Sequence, residues 1–302
     1  MADIGSVSWT INDIPADLAD EVAQTLLRAG DRPSATQIYN SLRTQHIALA
    51  ARDPDNTEWQ RDLCVSHERI GEMLAATGDG AGALAAYGEA MEIARTLAAR
   101  DSGNTLWQRD LSVSHIKIGD MLAATGDGSG ALAAYREGME IRRTLAARDP
   151  GNTEWQRGLS ISHIKIGDML AATGDRSGAL TAFGEAMEIA RTLTVHDPGN
   201  TEWQRDLSVS HDKIGDMLAA TGDASGALSA YGESMEIRRT LAARDPGNTE
   251  WQRDLIIVHV KLAEVGANAA NEYAAALKIA HALNDKGHLA PVDSWMIKEL
   301  ER

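Results

Sequence analysis

The chain has 302 residues, 43% of them apolar but only 4% aromatic, with a net charge of −15 and one cysteine, Cys64. That apolar content is ample for a packed core, the lone cysteine excludes an intrachain disulfide, and the acidity argues against a nucleic-acid partner. The acidity is spread rather than gathered into a tail, since residues 1–56 carry −4 and the five following blocks −4, 0, −2, −3 and −2.

No basic segment with an apolar stretch opens the chain, and no apolar run is long enough to span a bilayer. The expectation is a cytoplasmic protein that engages no membrane.

Residues 1–14 are unassigned, with Trp9 as a candidate anchor. Residues 15–56 read as a degenerate helical hairpin, with Gly30, Ala35 and Tyr39 at spacings that recur later. From there a single pattern dominates. Trp59, Trp107, Trp155, Trp203 and Trp251 recur every 48 residues, each followed by Gln-Arg and, eight places after the Trp, by His67, His115, His163, His211 and His259. A fixed period predicts stacked copies of one small unit and a long surface rather than a single pocket. The boundaries expected are 57–104, 105–152, 153–200 and 201–248 for four full repeats, 249–287 for a divergent fifth, and 288–302 for a capping helix.

The unit 105–152 shows how each repeat is built. The turn Asp101-Ser102-Gly103-Asn104 precedes it, and later units write Asp-Pro-Gly-Asn, which favours a type II turn. Thr105 is expected to cap the first helix, with Gln108 completing a capping box. Trp107, Leu111, His115, Ile118 and Leu122 share one face at helical spacing, and Gly126 ends the helix. Asp127 starts a second helix whose expected buried face is Ala131, Leu132, Tyr135, Met139, Ile141 and Leu145; Asp149-Pro150-Gly151 stops it. Each helix is about 20 residues, or roughly 30 Å, long. In the divergent unit the second helix is expected over 271–284. Beyond it Pro291-Val292-Asp293 leads a short helix, 294–301, whose Trp295 and Met296 are placed to cover the last groove.

These residues resemble the tetratricopeptide repeat. That family writes an aromatic, Leu, Gly and Tyr on its first helix, then Ala, Phe and a closing Pro, over 34 residues. His115, Ile118, Gly119, Leu122, Ala131 and Tyr135 stand at those places in order, and the sets Ile70-Gly71-Leu74-Ala83-Tyr87, Ile166-Gly167-Leu170-Ala179-Phe183 and Ile214-Gly215-Leu218-Ala227-Tyr231 repeat the match. Arg143 falls where the closing proline belongs, and Pro150 comes seven residues later. The chain therefore resembles a long-helix variant. The resemblance implies an all-α, right-handed α-solenoid of stacked hairpins, with the first helices lining a concave groove.

Several motifs invite chemistry. The histidine ladder imitates a metal array, but ligands must lie about 2 Å from one zinc while equivalent helices lie on the order of 10 Å apart. Packing histidines are the expectation, with a proton-sensitive joint as the alternative. Cys64 and His67 imitate half a metal site, yet Ser112, Ser160 and Ser208 replace the cysteine elsewhere. Gly78-Asp79-Gly80-Ala81-Gly82 imitates a phosphate loop without its Lys-Ser/Thr ending. No catalytic motif, metal site or cofactor is expected.

The candidate binding stripe lies beside the buried face of the first helices, on Arg109, Val113, Ile116, Asp120 and Ala123. Its ladders are Arg61, Arg109, Arg157, Arg205 and Arg253; Val65, Val113, Ile161, Val209 and Ile257; Lys117, Lys165 and Lys213, with Arg69; and Asp120, Asp168 and Asp216, with Glu72 and Glu264. A peptide crossing them would meet cations, an apolar middle and carboxylates. The alternative is a solvated face paired within each helix, as Lys117 with Asp120 or Glu154 with Arg157. The expected function is a non-catalytic scaffold or adaptor for a protein or peptide. Self-assembly or a sensor arm of a larger complex is the second reading, and a metal protein or enzyme built on the histidines the third.

Overall fold

A computed structural model of the protein describes residues 16–266, 268–288 and 295–300. The expectations for residues 1–14, and for the side chains of Trp295 and Met296, lie outside them. The described residues hold thirteen helices and no strand. They fall into two compact units, Met1–Arg148 and Asp149–Arg302.

In the first unit the helices are α1 (Ala16–Arg28), α2 (Arg32–Arg52), α3 (Thr57–Ala76), α4 (Gly80–Arg100), α5 (Thr105–Ala124) and α6 (Gly128–Arg148), each packed on the next. The second unit has α7 (Thr153–Ala172), α8 (Arg176–His196), α9 (Thr201–Ala220), α10 (Ala224–Arg244), α11 (Thr249–Glu264), α12 (Ala269–Asp285) and α13 (Trp295–Leu300), again packed in succession. The last two begin and end within two residues of the sequence expectation. Ile297 and Leu300 of α13 pack on Ile256, Ala276, Ala280 and Leu283.

The helix starts differ from the sequence reading by one residue. Asn104, not Thr105, is the cap, its side-chain oxygen accepting from the amides of Leu106 and Trp107. Asn56 and Asn200 do the same for their helices, and Asn152 and Asn248 cap theirs by accepting from the amides of Trp155 and Trp251. Asn is among the best caps because its short amide reaches back to the free N–H groups of the first turn. Gln108 takes no part in a capping box. Its Nε2 donates to Ala98 O at the end of α4, as Gln60 does to Ala50 and Gln252 to Ala242. Two of the tryptophans pack on the same junctions: Arg52 lies over the Trp59 ring at 5.4 Å, and His196 meets Trp203 edge-on.

The Asp-Pro-Gly-Asn turn is not type II. Gly103, Gly151, Gly199 and Gly247 are absent from the left-handed region, and Asn152 N closes the turn on Asp149 O at 3.1 Å. The Asp side chain holds the turn instead, accepting from Gly103 N and Gly199 N at 2.8 Å. A left-handed residue is not needed there, and Asp55 takes the place of the glycine in the first turn. The hairpin turn does need one: Gly126 has φ 88° and Asp127 Oδ1 then accepts from Gly130 N at 2.8 Å. Gly78 and Asp79 repeat this, so the glycine string is a helix stop followed by a helix start.

Within a hairpin the close approach is made by glycine. A Cβ on Gly71, Gly119, Gly167 or Gly215 would stand 2.4–2.5 Å from the ring of Tyr87, Tyr135, Phe183 or Tyr231. The second helix buries Ala131, Tyr135, Met139 and Leu145 as expected, with Leu132 and Ile141 half-buried. The first helix departs from expectation. Trp107, Leu111, His115, Ile118 and Leu122 are only half-buried, and the deepest side chains are Ser112 and Ser114, both fully buried, with Ile116. A first helix has neighbours on more than one side, so its interior is not a single apolar stripe. Small hydroxyls fit where helices approach most closely, each bonded to a carbonyl.

Candidate functional site

The charged ladders of the first helices are laced to one another. Arg61 Nε lies 2.6 Å from Asp110 Oδ2, reaching from α3 to α5. In the second unit Arg157 meets Asp206 at 2.5 Å and Glu202 at 2.8 Å, and Arg205 meets Asp254 at 2.6 Å and Glu250 at 2.8 Å. The guanidinium fork lets one arginine serve two carboxylates of the next helix. These bonds hold Arg61, Arg157 and Arg205 more firmly protonated than usual. Arg109 is exposed on α5.

The lysines reach the opposite way. Lys117 Nζ lies 2.8 Å from Glu72 of the preceding first helix, Lys213 lies 2.7 Å from Asp168, and Lys261 bonds Asp216. Arg69 stands in the first of these places and meets both Asp20 and Glu72 at 3.2 Å. Lys165 is half-buried on α7. The carboxylates also receive the tyrosines of their own hairpins, Tyr135 donating to Asp120 and Tyr231 to Asp216, each at 2.7 Å. Phe183 holds the ring position in the third repeat and has no hydroxyl to give Asp168.

Arg61, Arg157 and Arg205 thus bond forward by one repeat and Lys117, Lys213 and Lys261 backward by one repeat, while Arg69 bonds both backward to Asp20 and three residues along its own helix to Glu72. Between the two rows Val65, Val113, Ile161 and Val209 are half-buried. Ile116, expected on the open stripe, is buried instead at 6% exposure.

The histidines pack as expected. His163 is buried with Nε2 3.2 Å from Glu185, and His259 Nδ1 is 2.6 Å from Glu272. Burial lowers the pKa of His67, His115 and His211, against the opposing pull of Glu89, Glu137 and Glu233. Cys64 is buried, donates to Ala90 O at 3.3 Å, and has its thiol pushed well up by burial. Ser160 makes the same bond to Ala186 O at 3.0 Å, so the cysteine acts as a core hydroxyl does. Among the described residues no three His, Cys, Asp or Glu side chains gather to hold a metal ion, and no helix is long and apolar enough to cross a membrane.

Sequence reasoning missed two carboxyls set into the joints, Asp212, which is buried, and Glu68, which is half-buried. Asp212 lies 2.6 Å from Arg238 Nη2, at 8% and 4% side-chain exposure. Arg238 also donates to Asp254 O at 2.7 Å and lies 3.4 Å from Ser208 Oγ. Burial pushes the Asp212 carboxyl up, against the lowering pull of Arg238. Glu68 stands at the same repeat position and bonds Ser114 Oγ at 3.0 Å. The signal was in the repeats: this place reads Glu68, Ile116, Ile164, Asp212 and Val260, and the facing place alternates Ala94, Arg142, Ala190 and Arg238. Positions that vary inside near-identical copies mark where one joint differs from another.

No protein-family model and no curated protein matches the chain. Solved structures do match. They include the apo form of RapI (TM-score 0.61, 12% identity, covering 96% of this chain and 98% of that one). A second is a putative kinesin light chain from Podosopora anserina with nearly identical TPR-like repeats (TM-score 0.51, 14% identity, 77% and 99% covered). A third is Nro1, a hypoxic regulator of sterol synthesis and nuclear import adaptor (TM-score 0.58, 13% identity, 96% and 92% covered). The likeness is one of fold, and it agrees with the glycine-against-aromatic hairpins and their succession along the chain. The chain is a helical repeat protein with a tetratricopeptide-like fold, built on a 48-residue period.

Proposed function

We propose that the protein is a non-catalytic interaction scaffold that holds a protein or peptide across its first helices. The observation carrying this reading is the succession of first helices in each unit, each presenting a half-buried Val or Ile between a forward row of arginine–carboxylate pairs and a backward row of lysine–carboxylate pairs. Such a face offers apolar contact flanked by fixed dipoles, which supplies orientation and specificity. Nro1, similar in fold, is a nuclear import adaptor, which supports the same use of the fold here. The site proposed comprises Arg61, Arg109, Arg157, Arg205, Val113, Ile161, Val209, Lys117, Lys165, Lys213, Asp120, Asp168 and Asp216.

The lacing changes how this reading is tested. Reversing Arg157 and Arg205 would break joints as well as contacts, so the apolar row is the cleaner probe. Val113→Gln with Val209→Gln should reduce recovery of co-purifying proteins in affinity capture from the native cell while the helical circular dichroism is kept. Unchanged recovery by the folded double variant overturns the proposal.

A further inference from the structure

Glu68 occupies a place that the other repeats fill with an aliphatic residue or with a carboxylate held by a buried arginine. Ile116, Ile164 and Val260 are the aliphatic cases, and Asp212 has Arg238. On α4 the residue corresponding to Arg238 is Ala94, so the hairpin of Glu68 brings no guanidinium to it. Its surroundings are instead Cys64 and Glu72 on α3, Tyr87 on α4, and Asp110 and Lys117 on α5. Asp110 is taken up by Arg61 at 2.6 Å, and Lys117 by Glu72 at 2.8 Å.

The contact across the joint is made by Ser114. Its Oγ lies 3.0 Å from Glu68 Oε1 and 3.2 Å from the carbonyl oxygen of Asp110. The corresponding serines use their hydrogen for that carbonyl, Ser162 donating to Gly158 O and Ser210 to Asp206 O. A hydroxyl has one hydrogen and spare acceptor capacity. When Glu68 is a carboxylate, Ser114 can satisfy either the carboxylate or its own helix. When Glu68 is a carboxylic acid, its O–H donates to Ser114 Oγ, and the serine hydrogen returns to Asp110 O. Both bonds then form together.

We propose that Glu68 makes the joint between α3 and α5 proton-sensitive, closed when the side chain is a carboxylic acid and loosened when it ionises. Burial pushes this carboxyl up to about 7, which places the change near neutrality. A group whose pKa is raised on folding stabilises fully below its unfolded value and loses that contribution as pH rises through the folded value. The joint therefore weakens between about pH 5 and pH 8, the reverse of the effect expected from a buried histidine.

The test is hydrogen exchange of the full chain, read by mass spectrometry from pH 5.5 to 8.5 and corrected for the intrinsic rate. In the wild type, protection of α3 and α5 relative to α7 and α8, which carry Ile164 and Ala190 at the corresponding places, should fall about tenfold or more across the range, since each pKa unit is a factor of ten in the linked equilibrium. Glu68→Gln, which can donate to Ser114 at every pH, should abolish that fall, and so should Glu68→Ile, which imports the residue found at 116 and 164. Both variants retain His67 and His115, so the difference from wild type isolates Glu68. An equal pH dependence in either folded variant overturns the proposal. If neither folds, carboxyl-detected NMR titration of the wild type decides: a Glu68 midpoint near 7 supports it, and one near the ordinary value of about 4.3 sinks it.

Discussion

Arg205 Nε lies 2.6 Å from Asp254 Oδ2, one repeat further along the chain. The same guanidinium takes a second carboxylate, Glu250, at 2.8 Å. The arginine is about a third exposed and Asp254 much less so, at 35% and 12%. Solvent therefore screens the pair only partly, and the fork geometry favours it.

A double-mutant cycle on Arg205→Ala and Asp254→Ala should give a coupling energy of about 1 kcal/mol in urea denaturation. The coupling should shrink in high salt. Additive effects of the two substitutions would mean that this pair does not help hold α9 against α11.

Two glycines in one hairpin should respond in opposite ways. A methyl on Gly215 would stand 2.4 Å from Tyr231 Cε1, and the ring is confined by its bond to Asp216. Gly215→Ala should cost about 1–3 kcal/mol through overpacking. Gly232 on α10 has nothing within 4 Å of where its Cβ would be, and Arg136 occupies that place in the second repeat. Gly232→Ala should stabilise by about 0.5–1 kcal/mol, because helical glycine costs backbone entropy. Chemical denaturation of both variants checks the contrast, and equal effects would refute the packing described.

The buried pair of the fourth repeat should show compensation. Arg238→Ala leaves Asp212 in a low-dielectric site without its counter-ion, which should cost about 3–5 kcal/mol. Adding Asp212→Ile installs the combination the third repeat already carries, Ile164 with Ala190. The double variant should recover most of the loss, because an aliphatic pair packs where an unpaired carboxylate cannot. A double variant no more stable than Arg238→Ala would show that the bond from Arg238 to Asp254 O, not the ion pair, holds this joint.

Much of the fold was legible because a period is read before any local choice. The Gly119–Tyr135 match found the hairpin, and Gly126 with Asp127 marked its turn. The cap was misplaced by one residue because Asn104 and Thr105 are both good caps and only backbone geometry separates them. The turn was misnamed because Pro-Gly favours type II in isolation, whereas an Asp side chain ahead of it stabilises the turn with the glycine outside the left-handed region. The ladders were legible as rows but not as pairs. Lys117 has a carboxylate three residues ahead on its own helix and another one repeat back, and only the distance between helices shows that Glu72 is the one bonded. The buried Asp212 was missed because an acidic residue in a helix reads as solvent-facing until its neighbours on every side are known.

The histidine ladder yields the last prediction. Burial lowers the pKa of His67, His115 and His211, so the folded state prefers the neutral ring. In the unfolded chain the same rings take up a proton near pH 6.5. Their contribution is therefore complete above about 6.5 and is lost as pH falls through that value and on through the lower folded values. Thermal unfolding should move to lower temperature between pH 7.5 and 5, and replacing the three by Phe, the kind of residue the repeat resembles at this place, should flatten that slope. The carboxylates modulate it: Glu137 opposes the lowering at His115, so Glu137→Gln should push the His115 midpoint lower still in an NMR titration. A midpoint at or above the ordinary histidine value would show that the ring is solvated and that the ladder is not a packed seam. Because Glu68 responds with the opposite sign, the joint between α3 and α5 should be most stable between the two titrations, where the acid is still protonated and the histidines are already neutral.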